Sequence, residues 1–158
     1  MARVKRATPK AGYDFGNKRQ YRRAVYAFAD RCLRHVPMKR RRVLILEDIG
    51  GLEAEFLIRR GYNPENILAA NYSAAILAHM TRNLKCEGLP PVQTASGDIV
   101  AIGKRERSAG QSFDIIHLDF TGGVCAERLD LLENFRNEVI RNDSVVIVNT
   151  LRGRESDD

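Results

Sequence analysis

Four short, almost wholly apolar runs punctuate the chain: VLILE (Val43 to Glu47), NILAANY (Asn66 to Tyr72), FDIIHLDF (Phe113 to Phe120) and SVVIVNTL (Ser144 to Leu151). Such runs are what strands buried on both faces produce, and sheets covered on both faces are mostly parallel. Segments of helical period lie between them. Ser73 reads as an N-cap before Ile76, Leu77, Met80 and Leu84, with Gly88 and Pro90-Pro91 closing that helix. Gly50-Gly51 leads into a helix through Leu52, Phe56 and Leu57 that Gly61 stops, and another is expected from about Ala126 to Ile140. VQTAS (Val92 to Ser96) is a weaker strand, and the polar stretch Gly103 to Ser112 reads as a loop or short helix. Upstream, Tyr21, Val25, Phe28, Cys32 and Val36 mark the apolar face of a helix over 18–36, ended by Pro37. The expected fold is an α/β domain with a mostly parallel sheet of about five strands and flanking helices.

At 158 residues the chain suits one domain. Residues 18–158 are assigned to it, and 1–17, with Pro9, Gly12 and Gly16 among basic residues, to a flexible arm. No apolar run approaches the roughly 20 residues of a membrane span, and no signal segment is evident, so a soluble, cytoplasmic protein is expected. Cys32, Cys86 and Cys125 are far apart and outside any CxxC or Cys/His cluster, which predicts reduced thiols, two or three of them packed inside, and no metal site.

The charge is uneven. Residues 1–42 hold 14 Lys or Arg against two acids, Asp14 and Asp30, for a balance of +12, whereas the remaining 116 residues carry −6. A basic head on an acidic body is the footprint of a protein that meets a polyanion; nucleic acid is favoured over an acidic membrane surface, and the bland alternative is a solvated tail. Lys18, Arg19, Arg22, Arg23, Arg40 and Arg41 are the candidate contacts.

Parallel sheets bind ligands at the carboxyl ends of their strands, so the residues just after each strand are the ones to read. Glu47 and Asp48 run into Gly50-Gly51 and a helix, where glycines permit close approach and the helix N-terminus offers free N–H groups. Neither GxGxxG nor GK[ST] occurs, which removes the usual dinucleotide and triphosphatase readings. Asp119, after the run IIHL, is an acid on a buried strand that must be paired or functional. Asp98 also has a plain reading as a helix cap beside Gly97, and His117, on the same strand face as Asp119, reads as a core histidine.

The order VLILEDIGG, NILAANYSAAILAHMTRNLKCEGL, SGDI and FDIIHLDFTGG resembles the class I S-adenosylmethionine-dependent methyltransferases, a Rossmann-like family, over about 43–151. The resemblance implies S-adenosylmethionine as cofactor. Glu47, Gly50 and Gly51 match the motif that holds its methionine end. Asn71 or Tyr72 falls where the family usually has an acid for the ribose hydroxyls, Asp98 matches the acid that contacts the adenine amino group, and Ile99 stacks nearby. Asp119 and Phe120 stand where the fourth motif lines the transfer site; in DNA amino-methyltransferases that motif reads Asp or Asn, Pro, Pro, aromatic, and here it reads Asp119, Phe120, Thr121, Gly122, so that the acid and an aromatic survive and the prolines do not. A fainter similarity places Gly16, Asn17 and Lys18 at a Gly-x-Lys segment that wraps the cofactor carboxylate, with Tyr13 or Phe15 packing nearby.

The family's sheet normally ends in an antiparallel strand pair, which this sequence is expected to lack; a homodimer or a partner subunit along that edge is the corresponding expectation. The implied function is methyl transfer to nucleic acid, a base nitrogen favoured. The alternatives are a non-catalytic module of the same fold that binds nucleic acid or a partner protein, and a small-molecule methyltransferase.

Overall fold

The computed structural model describes residues 15–120 and 125–150. The first 14 residues of the expected arm lie outside them, as do residues 151–158, on which the expected end of the sheet falls. In chain order the elements are α1 (Phe15–Cys32), β1 (Val43–Leu46), α2 (Leu52–Arg60), β2 (Ile67–Asn71), α3 (Ala74–Cys86), β3 (Gln93–Ser96), α4 (Ile99–Ser108), β4 (Ile115–Phe120), α5 (Ala126–Glu138) and β5 (Val145–Thr150). Every strand pairing is parallel, in the order β3-β2-β1-β4-β5. The order reverses between β1 and β4, whose register aligns Val43 with Ile115 and Ile45 with His117.

Strand alternation splits the core in two. Val43, Ile45, Ile67 and Ile115 face a layer holding Tyr26 and Leu33 of the α1 region, Leu57 of α2, and Met80 and Leu84 of α3. Leu44, Leu68, Ile116 and Leu118 face Ile102 of α4 and Phe135 of α5. The unbroken apolar runs are thus explained by helices on both sides.

Three expectations need correcting. The buried row of α1 is Tyr26 and Ala29, continued by Leu33, whereas Phe28 is 54% exposed. That choice of face lets Arg22 and Tyr26 reach buried acceptors under the helix, and an unpaired buried polar group costs more than an exposed phenylalanine. The stretch around Gly103 is neither loop nor short helix but the second half of α4, capped by Asp98, whose Oδ1 accepts from the Ala101 amide at 2.8 Å. Gly103 sits where a Cβ would lie 2.6 Å from Val139 Cγ1, so it permits close packing against the end of α5 and helix propensity yields to that contact. All three cysteines are exposed: Cys32 and Cys86 end α1 and α3, and Cys125 precedes α5, positions at helix ends rather than on buried faces. Among the described residues no helix is long and apolar enough to cross a membrane.

Candidate active site

A cavity of about 250 Å³ opens at the carboxyl ends of β1, β2 and β4, where the strand order reverses. β1 delivers Leu46, Glu47 and Asp48 to it, β2 Asn71 and Tyr72, and β4 Asp119 and Phe120, while Lys18 and Arg22 of α1 close it from above. Glu53 of α2, Ile99 of α4, and Arg128 and Leu131 of α5 complete the wall.

Glu47 is fully sequestered. Its Oε1 accepts from the Asp48 amide at 3.1 Å and its Oε2 from the Ala54 amide at 2.8 Å, which ties the end of β1 to the first turn of α2. Burial, with the Glu53 and Asp48 carboxylates nearby, pushes its carboxyl up to about 8 in spite of those two amides. Glu53 behaves in the opposite way. Burial works to raise its carboxyl, but the hydrogen bond and charge of His117, together with the Arg22 guanidinium, hold it below the usual range. Arg22 Nε donates to Glu53 Oε2, and His117 Nδ1 lies 3.1 Å from Glu53 Oε1 and 3.0 Å from the Tyr26 hydroxyl. One buried carboxylate therefore joins α1, α2 and β4 beside the cavity.

Asp119 bridges two elements: its Oδ2 accepts from Lys18 Nζ at 3.0 Å and its Oδ1 from Asn149 Nδ2 of β5 at 2.7 Å. The Phe120 ring lies beneath the Arg128 guanidinium, 5.3 Å from its carbon.

Known structures share this fold. The S-adenosylmethionine-dependent methyltransferase from Agrobacterium tumefaciens superposes with a TM-score of 0.65 at 16% identity, covering 89% of this chain and 46% of that one. A methyltransferase from Geobacter sulfurreducens gives 0.52 at 21% identity, covering 82% and 60% respectively. NSun6 from Pyrococcus horikoshii, solved with SFG, gives 0.53 at 17%, covering 77% and 35%. The fold is that of the S-adenosylmethionine-dependent methyltransferases. The chain spans between about a third and three fifths of the length of these structures. No family model matches the chain, and no curated protein matches its sequence.

On this methyltransferase fold the residues singled out by sequence separate into two groups. Glu47, Asn71, Tyr72, Ile99, Asp119 and Phe120 meet around the cavity, joined by Lys18 and Arg22. Gly50, Gly51 and Asp98 do not line it. Gly51 has φ +66° and would place a Cβ 2.9 Å from Met80 Cγ, so its role is the turn into α2 and the seat of α3. Asp98 spends one oxygen capping α4 and accepts at the other from the Tyr72 hydroxyl at 2.8 Å, so it orients the exposed Tyr72 ring over the cavity mouth. Asn71 is partly committed: its Nδ2 donates to the Glu47 carbonyl at 2.7 Å and its Oδ1 accepts from the Ser73 amide at 2.9 Å, leaving one N–H and one lone pair.

Of the basic candidates, Arg41 is corrected outright. It is 4% exposed, ion-paired with Asp30, and donates to the Leu33 and Val36 carbonyls at 2.9 Å, which makes it the clamp between α1 and β1. Arg40 sits in a single 3₁₀ turn before β1, at the amino edge of the sheet and away from the cavity. Arg19 and Arg23 are exposed on α1. The sequence reading missed Glu53, Arg128 and Leu131. Glu53 carried one usable signal, an acid in the first turn of a helix that begins at a glycine turn. Thr121 and Gly122, which depart from the fourth motif, lie outside the described residues, and so does Tyr13.

Proposed function

We propose that this chain binds S-adenosylmethionine in the cavity at the β1/β4 switch point and directs methyl transfer to a nucleic-acid base, a ring or exocyclic nitrogen being the favoured acceptor. The observation that carries the reading is the convergence of Glu47, Tyr72, Ile99 and Asp119, from four separate elements, on one cavity in a methyltransferase fold. The donor set suits the cofactor's chemistry. Lys18 and Arg22 offer cations to a carboxylate, an ammonium seated beside Glu47 opposes the burial that raises its carboxyl and favours its ionised form, and the Tyr72 ring with Ile99 and Phe120 offers flat and apolar surface to an adenine. At about 250 Å³ the cavity is below the usual range for ligand pockets, and the Lys18–Asp119 ion pair stands in its wall.

When bound, S-adenosylmethionine supplies an electrophilic methyl carbon whose transfer to nitrogen leaves a neutral thioether. The protein's part is orientation. Asp119, fixed by Asn149, accepts a hydrogen bond from an amino group and points its lone pair along the transfer line, and its charge favours the amine as it becomes positive. The basic surface of α1 beside the cavity supports a phosphate-bearing acceptor over a neutral one.

Calorimetric titration with S-adenosylmethionine and its demethylated product tests the pocket. Wild-type protein is expected to bind in the micromolar range, and Tyr72→Ala, at an exposed position that leaves the core intact, to bind about tenfold more weakly. Absence of binding by folded wild-type protein overturns the reading. A non-catalytic module of the same fold is the second reading, favoured by the engagement of Asp119 with Lys18 and of Asn71 with the backbone; cofactor binding without transfer to any nucleic acid supports it.

A further inference from the structure

A second, larger cavity of about 630 Å³ runs between α1 and α2 on the outer face of the molecule. Its rim is arginine: Arg19, Arg22 and Arg23 from one turn of α1, and Arg59 and Arg60 from the last turn of α2. Its floor is Leu52 and Phe56, and Glu55 is the sole acid among its lining residues.

The charge of this groove is not cancelled from within. Arg22 is held by Glu53, Arg60 by Asp30, and Arg59 by Glu55 and Glu87, but Arg19 and Arg23 form no ion pair with any described side chain. Arg19 and Arg23, with the half-exposed Arg59, therefore offer phosphate contacts along two helix faces, above a surface on which a base can stack. Arg22 lines this groove and the β1/β4 cavity alike, so the two are neighbours that meet at one side chain.

We propose that the α1–α2 groove is the track of a single-stranded nucleic acid, which binds its phosphates to Arg19, Arg23 and Arg59, lays a base against Phe56, and passes Arg22 to reach the transfer cavity. This rests on the nucleic-acid reading above and adds to it a path, a strandedness, and a role for Arg59 that the basic head of the sequence did not suggest. A duplex offers the rim its phosphates but keeps its bases from the floor, whereas an unpaired strand satisfies both, and a base must leave a duplex in any case to enter an enclosed cavity. A membrane surface fits less well, because the large exposed apolar side chains among the described residues, Phe28, Tyr72, Leu129 and Val148, all lie outside the groove.

The test is fluorescence anisotropy on the full chain with a labelled mixed-sequence RNA strand, the matching DNA strand and the duplex, across roughly 50 to 200 mM salt. Arg19→Ser with Arg23→Ser is compared with Arg105→Ser and Arg107→Ser, which removes the same charge from exposed positions on α4, and thermal unfolding checks that both are folded. The expected result is tighter binding of single strands than of duplex, at least a tenfold loss in the α1 variant against less than threefold in the α4 variant, and a salt slope shallower by about 1.4 in the former. Phe56→Leu is expected to weaken the single strands and leave the duplex unchanged.

Equal losses in the two arginine variants, or duplex binding as tight as single-strand binding, overturn the groove while leaving a nucleic-acid substrate in place. A wild-type chain that binds no nucleic acid but does bind S-adenosylmethionine overturns the nucleic-acid reading and the groove together, and retains the cofactor site. Binding of a poly-glutamate peptide as tight as the strands identifies a general acidic-polymer site and overturns the track.

Discussion

Lys18 of α1 and Asp119 of β4 meet at 3.0 Å across the mouth of the β1/β4 cavity, 101 residues apart in sequence. The contact closes the cavity with the carboxylate that the proposed chemistry uses. Both side chains retain some exposure, 19% and 24%, so the pair is a weak latch rather than a buried clamp.

Asp119→Asn keeps the size of the side chain and a hydrogen-bonding group beside Lys18 and Asn149 but removes the charge. Methyl transfer is expected to fall about 100-fold or more, while calorimetric affinity for S-adenosylmethionine changes by less than about threefold. Equal loss in both would assign Asp119 to cofactor binding instead.

Glu47 predicts an unusual pH dependence of stability. Its carboxyl is raised from 4.5 to about 8 by burial, so the folded state holds this proton more tightly than the unfolded chain does. The stability it contributes is complete below pH 4.5 and is lost as pH rises through about 8, by up to roughly 5 kcal/mol. Glu53, held low, acts in a separate window: its contribution is present above its unfolded value of 4.5 and is lost as pH falls through its depressed folded value. Urea unfolding between pH 5 and 9 is expected to show the declining limb in wild-type protein and a flatter profile in Glu47→Gln, whatever the variant's baseline.

Breaking the buried network at its centre should be costly. Glu53→Leu leaves Arg22 and His117 without their acceptor under α1, and the expected loss is about 3–5 kcal/mol in denaturant unfolding. The double variant Arg22→Met with Glu53→Leu is expected to recover part of that loss, because no charge is then stranded.

The α4–α5 contact gives a packing prediction. Gly103→Ala places a methyl 2.6 Å from Val139 Cγ1 and should destabilise the chain by about 1–3 kcal/mol although alanine is the better helix former. Val139→Ala removes the obstructing methyls, so the two substitutions together are expected to cost less than the sum of their separate effects in thermal unfolding.

Much of the architecture is legible from residues close in sequence. The runs at β1, β2, β4 and β5 announce strands because both faces of each must be apolar, and Ser73, Gly61 and Gly88 mark helix ends because backbone geometry there is local. Glu47 and Asp119 could be singled out because an acid at the end of a buried strand is costly unless it has a purpose. What the sequence could not determine was pairing at a distance. Which face of α1 turns inward depended on Glu53 and His117, 31 residues from Arg22 and 91 from Tyr26. Whether Arg41 met solvent or Asp30, and whether Gly103 broke a helix or admitted Val139, also rested on partners elsewhere in the chain. Local propensity and hydrophobic period settle which segments become strands and helices, but the desolvation cost of each buried charge is settled by the groups that tertiary packing brings to it, and those groups decide which basic residues hold the fold and which remain free to meet a ligand.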